Sequence, residues 1–211
     1  MTADLLEALG ESLYMVFFST LFSLAGGFAL AIALIRSGPG GLKPNAALYA
    51  ILDGTVNILR SFPFIILMIA LIPVTRFVVG IAIGSTATIV PLTIAAAPFA
   101  ARLIEGSLLE VDRGVIEAAK AFGASDSQII FRVMLKETLP AIVLNVSVLA
   151  IALLGYSAMA GAIGGGGLGT LAYNNGYIRY EMDYMIWSVI VLILLVQAIQ
   201  SIGNFFYKRL R

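Results

Sequence analysis

Four stretches of the chain run for more than twenty residues without a charge: Ser12–Ile35 (24), Phe77–Ala101 (25), Thr138–Ile178 (41) and Tyr184–Tyr207 (24). Each is longer than the roughly 20 apolar residues that cross about 30 Å of hydrocarbon as a helix. The longest turns rich in glycine and asparagine in its second half, so it predicts one span, Leu139–Ala160. Ser61–Thr75 holds only 15 uncharged residues. It makes a further span if Val56–Leu59 are added and Arg60 snorkels toward the interface. The pattern predicts an all-α protein with five transmembrane helices. Ser37-Gly38-Pro39-Gly40-Gly41 reads as a turn after the first span, and Ala46–Asn57 as a helix at the inner interface, with Asp53 at the membrane edge. Pro63, Pro73, Pro91 and Pro98 fall in or at the ends of spans, where neighbouring helices can satisfy the freed carbonyls.

Composition agrees. Of 211 residues, 60% are hydrophobic and 12% charged, against about 25% charged in soluble domains, and the mean hydropathy is +1.00. The chain reads as one integral membrane domain, 1–211, with no internal repeat. The opening segment carries Asp4, Glu7 and Glu11 without Lys or Arg, the reverse of a cleaved leader's basic start. An outer N-terminus puts 11 of the 13 Lys and Arg on inner segments, so the positive-inside rule places the C-terminal Lys208-Arg209-Leu210-Arg211 in the cytoplasm.

The absences narrow the chemistry. With 0 His and 0 Cys, thiolate and imidazole metal sites and His-based catalysis are excluded. A net charge of +1 offers no case for nucleic acid. No G-x-x-x-x-G-K-[ST] exists, and the glycine run Gly164–Gly167 has no following lysine, so no phosphate cradle is expected. Ion-coupled carriers hold ionisable groups deep in the membrane. Here Asp53, Arg60 and Arg76 are all expected near interfaces, so no buried counter-charge for a substrate is expected in this chain.

Charge is concentrated between Arg102 and Glu137, eleven charged residues in one compact stretch between the third and fourth spans. Ile116, Ala119 and Phe122 recur at i, i+3, i+6 as an apolar stripe on a short helix, with Glu117 and Lys120 opposite. Gly123 is a C-cap candidate. Ser125 and Gln128 form a capping-box pattern for a second helix that buries Ile129, Ile130, Val133 and Met134 and exposes Arg132 and Lys136. Leu139-Pro140 then starts the next span. Ala118, Ala119, Ala121 and Ala124 make the first helix narrow, able to lie in a groove of another protein. The competing reading is an interfacial helix resting on lipid, but such helices favour basic and bulky aromatic residues, and this one is balanced in charge.

Glu117-Ala118-Ala119, Gly123, Ile129 and Leu139-Pro140 resemble the EAA loop of ABC importer permeases. Asn57–Leu67, Ile89-Val90-Pro91-Leu92-Thr93, Ala97-Pro98-Phe99, Gly155-Tyr156-Ser157-Ala158-Met159 and Gly165-Gly166-Gly167-Leu168-Gly169 resemble the methionine-importer permeases within that group. The similarity runs over roughly residues 12 to 205. It implies a type I importer permease fold in the bacterial inner membrane and a periplasmic N-terminus. It also implies a homodimer, two cytoplasmic subunits that hold ATP and Mg, and a periplasmic or lipid-anchored substrate-binding protein. The coupling loop of about 102–140 would dock to the ATPase through Glu117, Ala118, Ala119, Lys120, Phe122, Gly123 and Ala124. The chain itself would carry no cofactor and no catalytic residue. Methionine as substrate, of either hand, follows from the resemblance alone; another amino acid or small polar solute stays open.

Glycine-rich Gly155–Leu171 is the candidate pathway segment, with Met159 as an apolar constriction and Tyr156 and Ser157 as polar contacts beside it. A small-residue helix contact through Gly155 is the alternative. Tyr173–Tyr184 is either an interfacial aromatic belt or an outer rim for the binding protein. Arg60 is either an inner anchor or a contact with another subunit. A non-catalytic membrane scaffold is the remaining class, and it leaves the coupling loop unexplained.

Overall fold

A computed structural model describes residues 1–211, and every element in it is helical. Helix α1 (Thr2–Ser37) is the longest. It buries a stripe of small and slender residues, Ala8, Ser12, Met15, Ser19, Ser23, Gly27, Ala31 and Leu34, at helical spacing. That stripe lies on α5 (Ser85–Leu109), which buries Leu92, Ala96, Ala100, Ile104 and Leu108. In lipid no hydrophobic force draws two apolar helices together, so close van der Waals approach must hold them. Gly27 provides it: a Cβ there would lie 2.6 Å from that of Ala100.

Between these come α2 (Ala46–Ser61), α3 (Phe64–Ala70) and α4 (Ile72–Val79). The span expected over Val56–Thr75 is not one straight helix. The chain bends by 101° between α2 and α3, because Pro63 has no N–H to continue the ladder and Phe62 stays extended. Four helices are long and apolar enough to cross a membrane, and five if the bent pair counts as one.

Helix α6 (Arg113–Ala121) turns into α7 (Asp126–Gln128). A wide-turned segment, Ile129–Met134, joins α7 to α8 (Leu135–Gly161), so Asp126–Gly161 is one helical run of 36 residues. Leu139-Pro140 therefore lies inside this helix and does not begin it. A glycine hairpin leads to the short α9 (Gly167–Leu171), and α10 (Met182–Leu210) closes the chain. Gly203 of α10 approaches α8 closely enough that a Cβ would overlap Ser147. The opposite side of α10, with Ile186, Ile193 and Leu194 exposed, is free for lipid or another chain.

Two apolar clusters hold these helices. One joins α1, α3, α5 and α8 through Met15, Phe64, Leu92, Ala96, Leu149 and Leu153. The other joins the lower ends of α1 and α5 to the α6–α8 hairpin through Ala31, Ile35, Ile104, Leu108, Ile129 and Met134.

Candidate coupling hairpin and translocation path

The hairpin is built by its caps. Asp112 accepts the Gly114 N–H at 2.7 Å and starts α6. At the other end the Ala124 N–H donates to the Ala119 carbonyl at 3.1 Å and the Gly123 N–H to that of Lys120 at 2.9 Å. This paired closure requires a left-handed residue at Gly123, whose φ is +79°. Ser125 then opens α7 with the expected reciprocal bonds: its N–H donates to Gln128 Oε1 at 2.8 Å, and the Gln128 N–H to Ser125 Oγ at 3.4 Å.

Ile116, Ala119 and Ala124 pack against the lower apolar cluster, which fixes the hairpin to the helices above it. Phe122 departs from the expected stripe. The helix ends at Ala121, so Phe122 sits on the turn and is 92% exposed. Glu117, Ala118, Lys120, Ala121 and Gly123 are exposed with it. Of the second helix, Ile129, Ile130 and Met134 are buried and Val133 half-buried, with Arg132 and Lys136 exposed, as the spacing predicts.

Above the hairpin, Arg102 ties α5 to α2. Its guanidinium donates to Glu105 at 2.7 Å, to the Asp53 carboxylate, and to Asn57 at 3.0 Å. Glu105 is buried, and such a carboxylate is tolerated only with a partner. Asn145 of α8 adds bonds to the Leu103 carbonyl at 3.2 Å and to Ser107 Oγ at 2.9 Å. Sequence spacing gave no sign of the links from Arg102 to Asp53 and Asn57 or from Asn145 to Leu103 and Ser107, because those partners stand 38 to 49 residues apart.

The three expected pathway residues do not converge. Ser157 is buried and returns its hydroxyl to the Leu154 carbonyl at 2.8 Å. Tyr156 stacks on Phe64 with centroids 4.9 Å apart. Met159 alone of the three is exposed, at 54%. Beyond it the glycine hairpin is pinned on two sides. Gly84 N–H donates to the Gly164 carbonyl at 3.0 Å and Thr88 Oγ1 to that of Gly165 at 3.1 Å. From α1, Glu11 accepts the Gly167 N–H at 2.6 Å and Ser12 the Leu168 N–H at 2.9 Å. Sequence reasoning used Glu11 only as evidence about the N-terminus. The nearby Tyr184 hydroxyl donates to Asp4 at 2.9 Å and joins the starts of α10 and α1.

Arg60, expected near an interface, is exposed. It lines a cavity of about 210 Å³ with Leu59, Phe62, Phe64, Ala95, Phe99 and Tyr156. No group of three His, Cys, Asp or Glu side chains comes close enough to hold a metal.

Residues 25–211 match the family of binding-protein-dependent transport system inner membrane components. The chain is 49% identical over 205 residues to a probable D-methionine transport system permease of Vibrio cholerae, covering 97% of this chain and 91% of that one. It is 45% identical over 201 residues to the methionine import system permease of Bacillus subtilis, covering 95% and 90%. Among solved structures it resembles the MetNI methionine ABC transporter in an inward-facing conformation, with a TM-score of 0.98 at 43% identity, covering 100% and 98% of the two chains. An amino acid ABC transporter shares the fold, with a TM-score of 0.81 at 19% identity over 99% and 94%.

Proposed function

The chain belongs to the family of binding-protein-dependent transport system inner membrane components, and we propose that it is the permease subunit through which an ABC importer carries methionine across the inner membrane. The observation that carries this reading is the 49% identity to a methionine permease across 97% of the chain. The subunit is not an enzyme; ATP hydrolysis belongs to a separate partner.

The finer parts of the proposal concern assembly and motion. The whole chain acts as one transmembrane domain, with its N-terminus in the periplasm and its C-terminus in the cytoplasm. Two copies pair, two cytoplasmic subunits hold ATP and Mg below them, and a periplasmic binding protein delivers substrate from above. The hairpin from Glu117 to Ala124 is the joint with the ATPase. Its exposed, narrow face and its fixed closure at Gly123 support this role, since a docked lever must pass on displacement without deforming. ATP binding draws the two hairpins together, the spans tilt, and the path opens outward; hydrolysis returns it inward. The partner needs only different affinities for the two permease states. Met159, exposed within its own subunit, is the constriction in this reading.

The test is reconstitution of permease, ATPase and binding protein in liposomes with labelled methionine. ATP-dependent accumulation is expected. Accumulation of a different amino acid, with methionine excluded, overturns the substrate.

A further inference from the structure

Where α1, α5 and the coupling hairpin meet, the chain encloses a cavity of about 240 Å³. Leu34 and Ile35 of α1, Leu108 of α5, and Ile116 and Met134 of the hairpin give it apolar walls, and the Gly38–Gly41 turn closes one side. Two charged residues also line it, Glu105 and Arg113. The uncharged windows set its depth. Ile35 is the last residue of one, and Glu105 stands about one turn past Ala101, the last residue of another. The cavity therefore lies at the headgroup level of the bilayer, on the side of the hairpin.

Glu105 keeps only 7% of its side chain exposed. Arg102 donates to its Oε2 at 2.7 Å. The other oxygen, Oε1, is neither hydrogen-bonded nor sealed from solvent, so it opens into the cavity. Arg102 is shared with Asp53, so one guanidinium balances two carboxylates and a negative charge is left over. Arg113 is exposed and has no ion pair within the chain. Its guanidinium lies over the glycine turn: a Cβ added at Gly40 would stand 3.7 Å from Nη2. The cavity thus has an anionic floor, apolar walls and a cationic mouth.

We propose that this cavity binds a zwitterion in which a primary ammonium sits beside a phosphate, the chemistry of ethanolamine phosphate. The ammonium donates to Glu105 Oε1, supplying the cationic donor that a buried carboxylate with surplus charge calls for. The phosphate accepts paired hydrogen bonds from the Arg113 fork. A simple cation is repelled at Arg113 and a simple anion at Glu105; the zwitterion satisfies both. This chemistry reaches the site either as the headgroup of an aminophospholipid or as the free phosphate ester in the cytoplasm. Because Glu105 belongs to α5 and Arg113 opens α6, the bound group ties the coupling hairpin to the helices above it.

The test is calorimetric titration of the detergent-purified permease–ATPase complex with three probes: dihexanoyl phosphatidylethanolamine, dihexanoyl phosphatidylcholine and free ethanolamine phosphate. The wild type should bind the ethanolamine lipid saturably. The choline lipid, whose methyl groups remove every N–H donor, should bind at least about tenfold more weakly, the scale of one hydrogen bond to a charged group. Glu105→Gln and Arg113→Ala should each weaken binding of the ethanolamine lipid by a similar factor. The bound lipid should also raise the melting temperature of the wild type but not of Arg113→Ala. Binding of the lipid alone assigns the site to a headgroup, and equally tight binding of free ethanolamine phosphate assigns it to the soluble ester; either supports the proposal. No saturable binding of either below about 10 mM, equal binding of the choline lipid, or unchanged binding in both variants overturns it. If Glu105→Gln does not assemble, Arg113→Ala, an exposed substitution, decides alone.

Discussion

The Glu11 carboxylate accepts the backbone N–H of Gly167 at 2.6 Å, across 156 residues of sequence. This bond fastens the glycine hairpin to α1 at the end of the bundle remote from the coupling hairpin. Glu11→Ala leaves that N–H without its partner, at a cost of about 1–3 kcal/mol. Glu11→Gln keeps an acceptor and should lose less. Gly167→Ala should be worse than either, because φ is +72° and the new Cβ would sit 2.5 Å from Ser12 Oγ. Thermal unfolding of the detergent-purified complex ranks the three; equal melting temperatures would remove the fastening.

Arg102 is the shared partner of Asp53, Asn57 and buried Glu105. Its loss strands a buried carboxylate, so Arg102→Ala should destabilise the subunit by about 3 kcal/mol. That is the low end for a buried pair, since Asp53 keeps 32% of its side chain in solvent. Arg102→Ala combined with Glu105→Gln should recover much of the loss. Denaturation of the single and double variants measures the coupling, and additive effects would exclude it.

Gly123 offers a clean test of the lever, because nothing lies within 4 Å of a Cβ built there. A substitution therefore acts through conformation and not through crowding. Gly123→Val should strain the turn by roughly 1–2 kcal/mol and lower the methionine carried per ATP hydrolysed. Gly123→Asn, which tolerates the left-handed region, should stay near wild type. Equal coupling ratios for Val and Asn would contradict the lever.

Met159 is exposed within its own subunit, so Met159→Ala should leave the melting temperature nearly unchanged. If the side chain closes the path, the variant should leak methionine without ATP. Ser157→Ala serves as the contrast: its hydroxyl is satisfied inside the helix, and no leak is expected. A tight Met159→Ala transporter would remove the constriction.

The long spans were legible because uncharged windows report membrane burial directly. The hairpin was legible because Gly123, Ser125 and Gln128 act on their own neighbours, and caps are local chemistry. Phe122 was misplaced because helical spacing was extended one residue past the end that Gly123 itself enforces. The second span was drawn straight through Phe62-Pro63 because hydropathy averages over a window and does not sense a missing N–H. Glu11, Asp53 and Arg102 gained their meaning only from partners far along the chain, which periodicity cannot reveal.

The uninterrupted helix from Asp126 to Gly161 begins under the docking hairpin and ends at the glycine turn. At 1.5 Å per residue it is about 54 Å long, so a tilt of about 5° about its base swings its tip by about 5 Å. That excursion is as wide as an amino-acid side chain. If the hairpin is the joint proposed above, gearing of this kind would let a small rearrangement of the partner open an aperture of the right size.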